Sequence, residues 1–341
     1  MKKVFFTNSL KGTLSNEDVT KLYKKIFRSN EDFILPISDG GDGFLNFIKF
    51  FYPSSKIKIF ETFSPEGKKI KVETLEYNGH LFIESAKIVG FKTIKDISKN
   101  PERRSSYGIG YILKKVYKKY KKIFLGIGGT TTFDIGSGSF KILGYEVLRF
   151  PDSEILIDFK RTSNSITLNN LVSVCDVVSP LNGKTGASLY LKQKGVEEEE
   201  IKFYKSIFDY VAKKYNISGE KYLGSGGGLG FFTRFVGGKN VGCWDFLSKF
   251  ISIEKILKES DIVILNEGKF DEQSMKGKIN GEIVKKALEF KKKTFIITGE
   301  VDLKDESLKK HLTFIILDKN QKDYKIEFFE KTKILKEILD G

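Results

Sequence analysis

Carboxylates and lysines recur in this chain beside glycines, at the points where apolar runs stop. Asp39 and Asp42 flank Gly40-Gly41 after FILPI (33–37), Glu267 and Asp271 bracket the loop after IVIL (262–265), and Asp176 ends VSVCD. Lys11, Lys194 and Lys278 lie in glycine-containing segments near these acids in the sequence. Acids so placed hold Mg²⁺ or accept a proton, lysines neutralise phosphate or a carboxylate, and glycines bare backbone N–H groups toward an anion. Phosphoryl transfer needs that equipment, because it depends on positioning and charge neutralisation more than on covalent help.

Three glycine-rich segments refine the expectation: GIGGTTTFDIGSG (126–138), NGKTGAS (182–188) and GSGGGLG (224–230). Any one of them alone reads as a tight turn. The first follows the apolar run IFL and precedes a helix, so Gly128, Gly129, Thr130 and Thr131 are expected to cradle an anion. Gly226, Gly227, Gly228, Lys194 and Lys278 are placed with them as nucleotide contacts. Catalysis is assigned to Asp39, Asp176, Asp271 and Lys11, and metal binding to Asp42 and Glu267. The residue types do not divide metal binding from proton acceptance among the five acids.

Other chemistries lack their residues. With His80 and His311 as the only histidines, neither a His/Cys zinc site nor a Ser-His-Asp triad is expected. Gly183-Lys184-Thr185 has the end of a P-loop, but Val178 stands where its first glycine belongs. No strand runs into GxGxxG, which removes the main support for a nicotinamide dehydrogenase. Cys175 and Cys243 form no CxxC pair, as in a reducing compartment. The net charge of +15 raises nucleic acid as a partner, but lysines far outnumber the six arginines that would read bases or fork phosphates. KKVYKKYKK (114–122) reads as the solvated face of a surface helix. No nucleic-acid or membrane partner is therefore expected, a homo-oligomer is left open, and the absence of a signal-peptide core or a long apolar run predicts a cytoplasmic protein.

These residues must be positioned by strands. VFF (4–6), FILPI, IVIL and FII (295–297) run into TNSLKGT, SDGGDG, NEGKFD and TGE, and parallel strands ending this way share a crevice at their carboxyl ends. Ser15 caps a first helix with Asp18 three positions on, and GGDG opens a second through Phe44, Leu45, Phe47, Ile48 and Phe51. From residue 56 the pattern becomes a meander, with a turn at 65–67 and a hairpin turn at Asn78-Gly79. Helix-strand alternation returns near Ile262, with a helix over 282–290. At 341 residues the chain exceeds the usual single core, so two domains are expected. The expected fold is α/β: a discontinuous Rossmann-like parallel-sheet domain (1–57 and 260–341), an inserted mixed-sheet α/β domain (58–259), and an active-site cleft between them.

In order along the chain, these segments resemble the bacterial type I glycerate kinase family. The family's D-S-F-K-G-S-L-S is similar to NSLKGTLS (8–15), its A-D-G-G-E-G-T to SDGGDGF (38–44), and its E-M-A-x-x-x-G-L to ESAKIVGF (84–91). T-x-G-x-G is similar to SYGIG (106–110), and G-I-G-G-S-A-T-N-D-x-G-x-G to residues 126–138. D-V-x-N-P-L-x-G-x-x-G-A and P-Q-K-G-A resemble DVVSPLNGKTGA (176–187) and KQKGV (192–196). A-A-G-G-L-G resembles GGGLG, and T-G-E-G-R-x-D-x-Q-T-x-x-G-K resembles LNEGKFDEQSMKGK (265–278). The resemblance implies ATP- and Mg²⁺-dependent phosphorylation of D-glycerate or a similar small hydroxy acid, with 2-phosphoglycerate favoured as product. Asn8, Phe133 and Asn266 depart from the family's Asp, Asn and Gly. They motivate an alternative, a catalytically silent metabolite sensor, and Phe133 is expected to make one edge of the pocket apolar.

Overall fold

The computed structural model describes residues 1–10, 13–149, 156–250, 252–272, 274–275, 278–318 and 323–340. It divides into two compact units, Met1–Ser38 with Cys243–Gly341, and Asp39–Gly242. Both junctions fall earlier in the chain than positions 57 and 259. Packing accounts for this. The helix Phe44–Phe51 buries Phe44, Leu45, Phe47 and Ile48, and it lies against the strands Lys69–Tyr77 and His80–Glu84 of the second unit, with Phe44 6.5 Å from Phe82 between ring centroids. At the other junction the helices Cys243–Phe250 and Ile253–Glu259 pack on Ile279–Glu289 of the first unit.

The first unit holds a five-stranded, wholly parallel sheet in the order Leu312–Ile316, Lys293–Thr298, Ile262–Glu267, Lys3–Thr7 and Phe33–Pro36. Its inner strands read as unbroken apolar runs because both faces are covered. Numbered within this unit the order is 2-1-3-4-5, so it reverses between Lys3–Thr7 and Ile262–Glu267, and the crevice of such sheets opens at that reversal. The helix Asn16–Ile26 begins as expected: the Ser15 hydroxyl accepts the Asp18 N–H at 3.1 Å and donates to the Asp18 carboxylate at 2.7 Å.

The second unit holds a six-stranded mixed sheet in the order Lys239–Gly242, Leu171–Cys175, Lys122–Gly126, His80–Glu84, Lys69–Tyr77 and Lys56–Phe63. Its first four strands are parallel and its last two antiparallel. Asn78 and Gly79, with φ of 49° and 76°, make the left-handed hairpin turn that their sequence predicts. The lysine-rich stretch 114–122 is not one helix. The helix Tyr107–Val116 stops inside it, a turn follows, and Lys122 already belongs to the strand Lys122–Gly126. Buried ladder positions Ile123 and Leu125 outweigh helical spacing there. Among the described residues no helix is long and apolar enough to cross a membrane.

Candidate active site

In the second unit, the strands ending at Glu84, Gly126 and Cys175 finish side by side, with Glu84 registered to Gly126 and Gly126 to Val174. The turn 39–43 lies directly on the loop that leaves Gly126. Gly128 donates its N–H to Gly40 O at 3.1 Å, and a Cβ on Gly128 would stand 2.7 Å from Gly41 N. A Cβ on Gly126 would stand 2.4 Å from Gly40 O. Two backbones meet here with no room for a side chain.

That contact gathers three of the expected groups. Asp39 Oδ1 accepts the Gly41 N–H at 3.0 Å. Asp176 Cβ lies 3.3 Å from where a Cβ on Gly128 would be, and Gly129 N lies 3.2 Å from one on Gly41. A Cβ on Gly129, at φ +64°, would meet nothing closer than 3.4 Å. The four-residue cradle therefore splits. Gly128 N–H and Thr131 N–H, the latter bound to Val89 O at 2.8 Å, serve the fold. The Gly129 and Thr130 N–H groups make no hydrogen bond to another described residue, which leaves two adjacent donors for an anion. Asp42 is exposed and ion-paired with Lys92 at 2.9 Å.

Behind this loop sit the glycine triplet and Lys194. Gly226, Gly227 and Gly228 have φ of +64°, +69° and +95°, and Cβ atoms on the last two would fall 2.1 Å from Thr132 O and 2.6 Å from Ile135 Cα. Their freedom admits a close approach to 127–135, which Ile135 N–H fixes on Gly227 O at 3.1 Å. Lys194 is buried, and its ammonium donates to Thr130 O, Thr130 Oγ1 and Thr132 O at 2.6, 2.9 and 2.8 Å. All three of its protons are engaged by the loop.

The first unit brings Asn8, Glu267, Lys278 and Asp271 to the carboxyl ends of its own strands. Lys278 Nζ is 3.7 Å from Glu267 Oε1, and Asn280 Nδ2 donates to Glu267 Oε2 at 3.2 Å. Asp271 Oδ1 accepts the Ser274 N–H at 3.0 Å and ends a two-residue strand paired with Val301–Asp302. Lys11 lies outside the described residues. Among the described residues no three His, Cys, Asp or Glu side chains cluster as a metal cage. Mg²⁺ is usually held by one or two carboxylates plus substrate phosphates, so the donor set fits an ion bound with a nucleotide.

Residues 4–333 match the model of the glycerate kinase family. The chain belongs to that family. Among its relatives, the glycerate kinase of Neisseria meningitidis serogroup B is 28% identical over 82% of this chain and 80% of that protein. The glycerate 2-kinase of Escherichia coli K12 is 27% identical over 88% and 86%. A crystal structure assigned to glycerate kinase 2 of Salmonella typhimurium LT2 has the same fold, with a TM-score of 0.68 at 22% identity over 99% of this chain and 97% of the other. As a glycerate kinase family member the chain is a kinase, and two departures from the family pattern acquire local roles. Asn266 accepts the Asn8 N–H at 3.2 Å and donates to Asn8 O at 2.6 Å, so its amide stands in for a peptide at the sheet reversal. Phe133 does not edge a pocket: its ring is buried in the core against Tyr204, 5.1 Å away.

Several residues escaped the sequence reading. Glu84, buried, accepts the Gly43 and Leu45 N–H groups at 3.3 and 3.0 Å, and burial drives its carboxyl up to about 7 despite those bonds. Asp134 gathers the N–H groups of Ser106, Gly136 and Gly138. Asn16 ties Thr7 O and Ile37 O, at 3.0 and 2.6 Å. An acid closing the apolar run LFIE was the available signal for Glu84; the other two look like ordinary helix-start and turn residues.

Proposed function

We propose that this protein transfers the γ-phosphoryl group of ATP to a hydroxyl of D-glycerate, giving 2-phosphoglycerate. The observation that carries the reading is the meeting of Asp39, Asp176 and the two available N–H groups of Gly129 and Thr130 at adjoining strand ends. The N–H pair receives phosphate oxygens, a carboxylate takes the hydroxyl proton, and the bare backbone admits the phosphate closely. Asp39 or Asp176, with Asp42 three positions after Asp39, would hold Mg²⁺, and Glu267 is proposed as a metal ligand at the strand ends of its own unit. When bound, Mg²⁺ supplies charge neutralisation on the phosphate oxygens. Asp271 and Lys278 are proposed for substrate and phosphate contacts at the strand ends of the first unit, and Lys194 for holding the Thr130 and Thr132 carbonyls behind the phosphate loop. The name glycerate 2-kinase carried by the Escherichia coli relative supports the choice of product.

Purified protein with ATP, Mg²⁺ and D-glycerate should form ADP only when glycerate is present, and phosphorus NMR should identify 2-phosphoglycerate. Asp39→Asn should lower kcat by about 10² or more with the fold retained. Absence of glycerate-dependent ADP would leave a binding protein instead, and 3-phosphoglycerate would overturn the regiochemistry alone.

A further inference from the structure

Lys194 is 6% exposed, and no carboxylate among the described residues pairs with it. The charged groups facing it are Asp134 and Arg104. Arg104 is also buried, and its Nη1 donates to Lys194 O at 2.7 Å. Asp134 spends its carboxylate on Ser106, Gly136, Ser137 and Gly138. An ammonium in that position is poorly compensated. Burial brings Lys194 down to about 7, with Asp134 opposing and Arg104 reinforcing the fall.

The three partners of Nζ are chemically unequal. Thr130 O and Thr132 O can only accept, whereas Thr130 Oγ1 can accept or donate. A charged Nζ gives a proton to each of the three. A neutral Nζ gives two protons to the carbonyls and accepts the hydroxyl proton on its lone pair. Nζ is fully hydrogen-bonded in both states with one geometry, so its charge can change without moving the loop.

We propose that Lys194 is a positioning residue whose charge follows occupancy of the loop: an anion on the Gly129 and Thr130 N–H groups draws one proton from solvent onto Nζ. The change is Lys–NH₂ plus H⁺ giving Lys–NH₃⁺, with the Thr130 hydroxyl turning from donor to acceptor and no other bond made or broken. Lys194 thus acts on phosphate through the peptide units it holds, without touching the ligand. This rests on the assignment of phosphate to Gly129 and Thr130 made above.

Calorimetry of a non-hydrolysable ATP analogue, in buffers of different ionisation enthalpy near pH 7, counts the protons taken up. Wild type should take up about half a proton more than Lys194→Met, since a group titrating near 7 is half charged there. Equal counts in the two proteins would overturn the proposal. Should Lys194→Met not fold, carbon-13 NMR of lysine Cε in wild type decides: one lysine titrating near neutrality should become fully charged when the analogue binds, and an unchanged titration rejects the idea. Gly129→Val separates the two levels. Analogue binding that survives Gly129→Val removes the phosphate assignment itself, whereas binding lost there with equal proton counts removes only the role of Lys194.

Discussion

The two units brace their strand-end loops with different chemistry. In the first, asparagine amides do it: Asn266 replaces a peptide between the diverging ends at Asn8, Asn16 joins Thr7 to Ile37, and Asn280 holds Asn266 O and Glu267. In the second, charged side chains (Glu84, Asp134, Lys194) hold backbone groups, and backbone also lies directly on backbone, Gly41 against Gly128 and Gly227 against Thr132. A side-chain clamp offers separable donor and acceptor atoms. A glycine contact offers only the absence of an atom, and it fails entirely when one is added.

The sharpest break should therefore be in the second unit. Gly227→Val places a branched side chain at φ +69° with its Cβ 2.1 Å from Thr132 O, which should cost on the order of 4 kcal/mol or more and displace the 127–135 loop. Denaturant unfolding measures it, and a loss under about 1 kcal/mol would show that the contact relaxes freely. Asn266→Ala in the first unit should cost less, roughly 2 to 3 kcal/mol, because Asn8 N–H and C=O lose their partners while no atom collides. Asn266→Asp refines that test. It keeps the acceptor for Asn8 N–H but sets an oxygen against Asn8 O, so it should be no better than alanine; recovery to wild-type stability would mean that water had replaced the second bond.

A smaller, pH-dependent effect distinguishes Glu84, a buried acid that holds the Gly43 and Leu45 N–H groups in the second unit. Its folded pKa of about 7 lies above the ordinary 4.5, so the folded state holds a proton that the unfolded chain has released. Its stabilising contribution is complete below about 4.5 and is lost as pH rises through 7. Wild type should thus lose Tm between pH 5 and 8 relative to Glu84→Gln, whose amide does not titrate. Parallel Tm profiles would remove Glu84 from this role.

Much of this was legible because it rests on pattern. Apolar runs ending in Gly and acid fixed the parallel sheet, and Asn78-Gly79 fixed its hairpin, since local chemistry and tertiary context agree there. The site was legible in part. Asp39, Asp176, Gly129 and Thr130 do come together, but sequence alone could not separate the N–H groups of Gly129 and Thr130, which the fold does not use, from those at Gly128 and Thr131 that it consumes. Gly226 to Gly228 and Lys194 were read as contacts because their types suit phosphate, while the structure sets them behind the loop. Phe133 was misplaced for a related reason: a departure inside a functional motif invites a functional explanation, and only the packed ring of Tyr204 supplies the structural one. Glu84, Asp134 and Asn16 act through long-range backbone partners that no spacing rule encodes.

The discontinuity of the first unit also sets an order of assembly. Lys3–Thr7 is flanked in its sheet by Phe33–Pro36 and by Ile262–Glu267, so one neighbour is present almost at once and the other only after the whole segment 39–242 has been synthesised. Every strand of the second sheet lies inside that continuous segment. On a ribosome that extends the chain from its N-terminus, the second unit can close its core while the first still consists of two strands, too few to stand alone in water. The unit that holds Lys3–Thr7 is thus completed after the one inserted into it, and the second edge of that strand waits unpaired until Ile262–Glu267 is made.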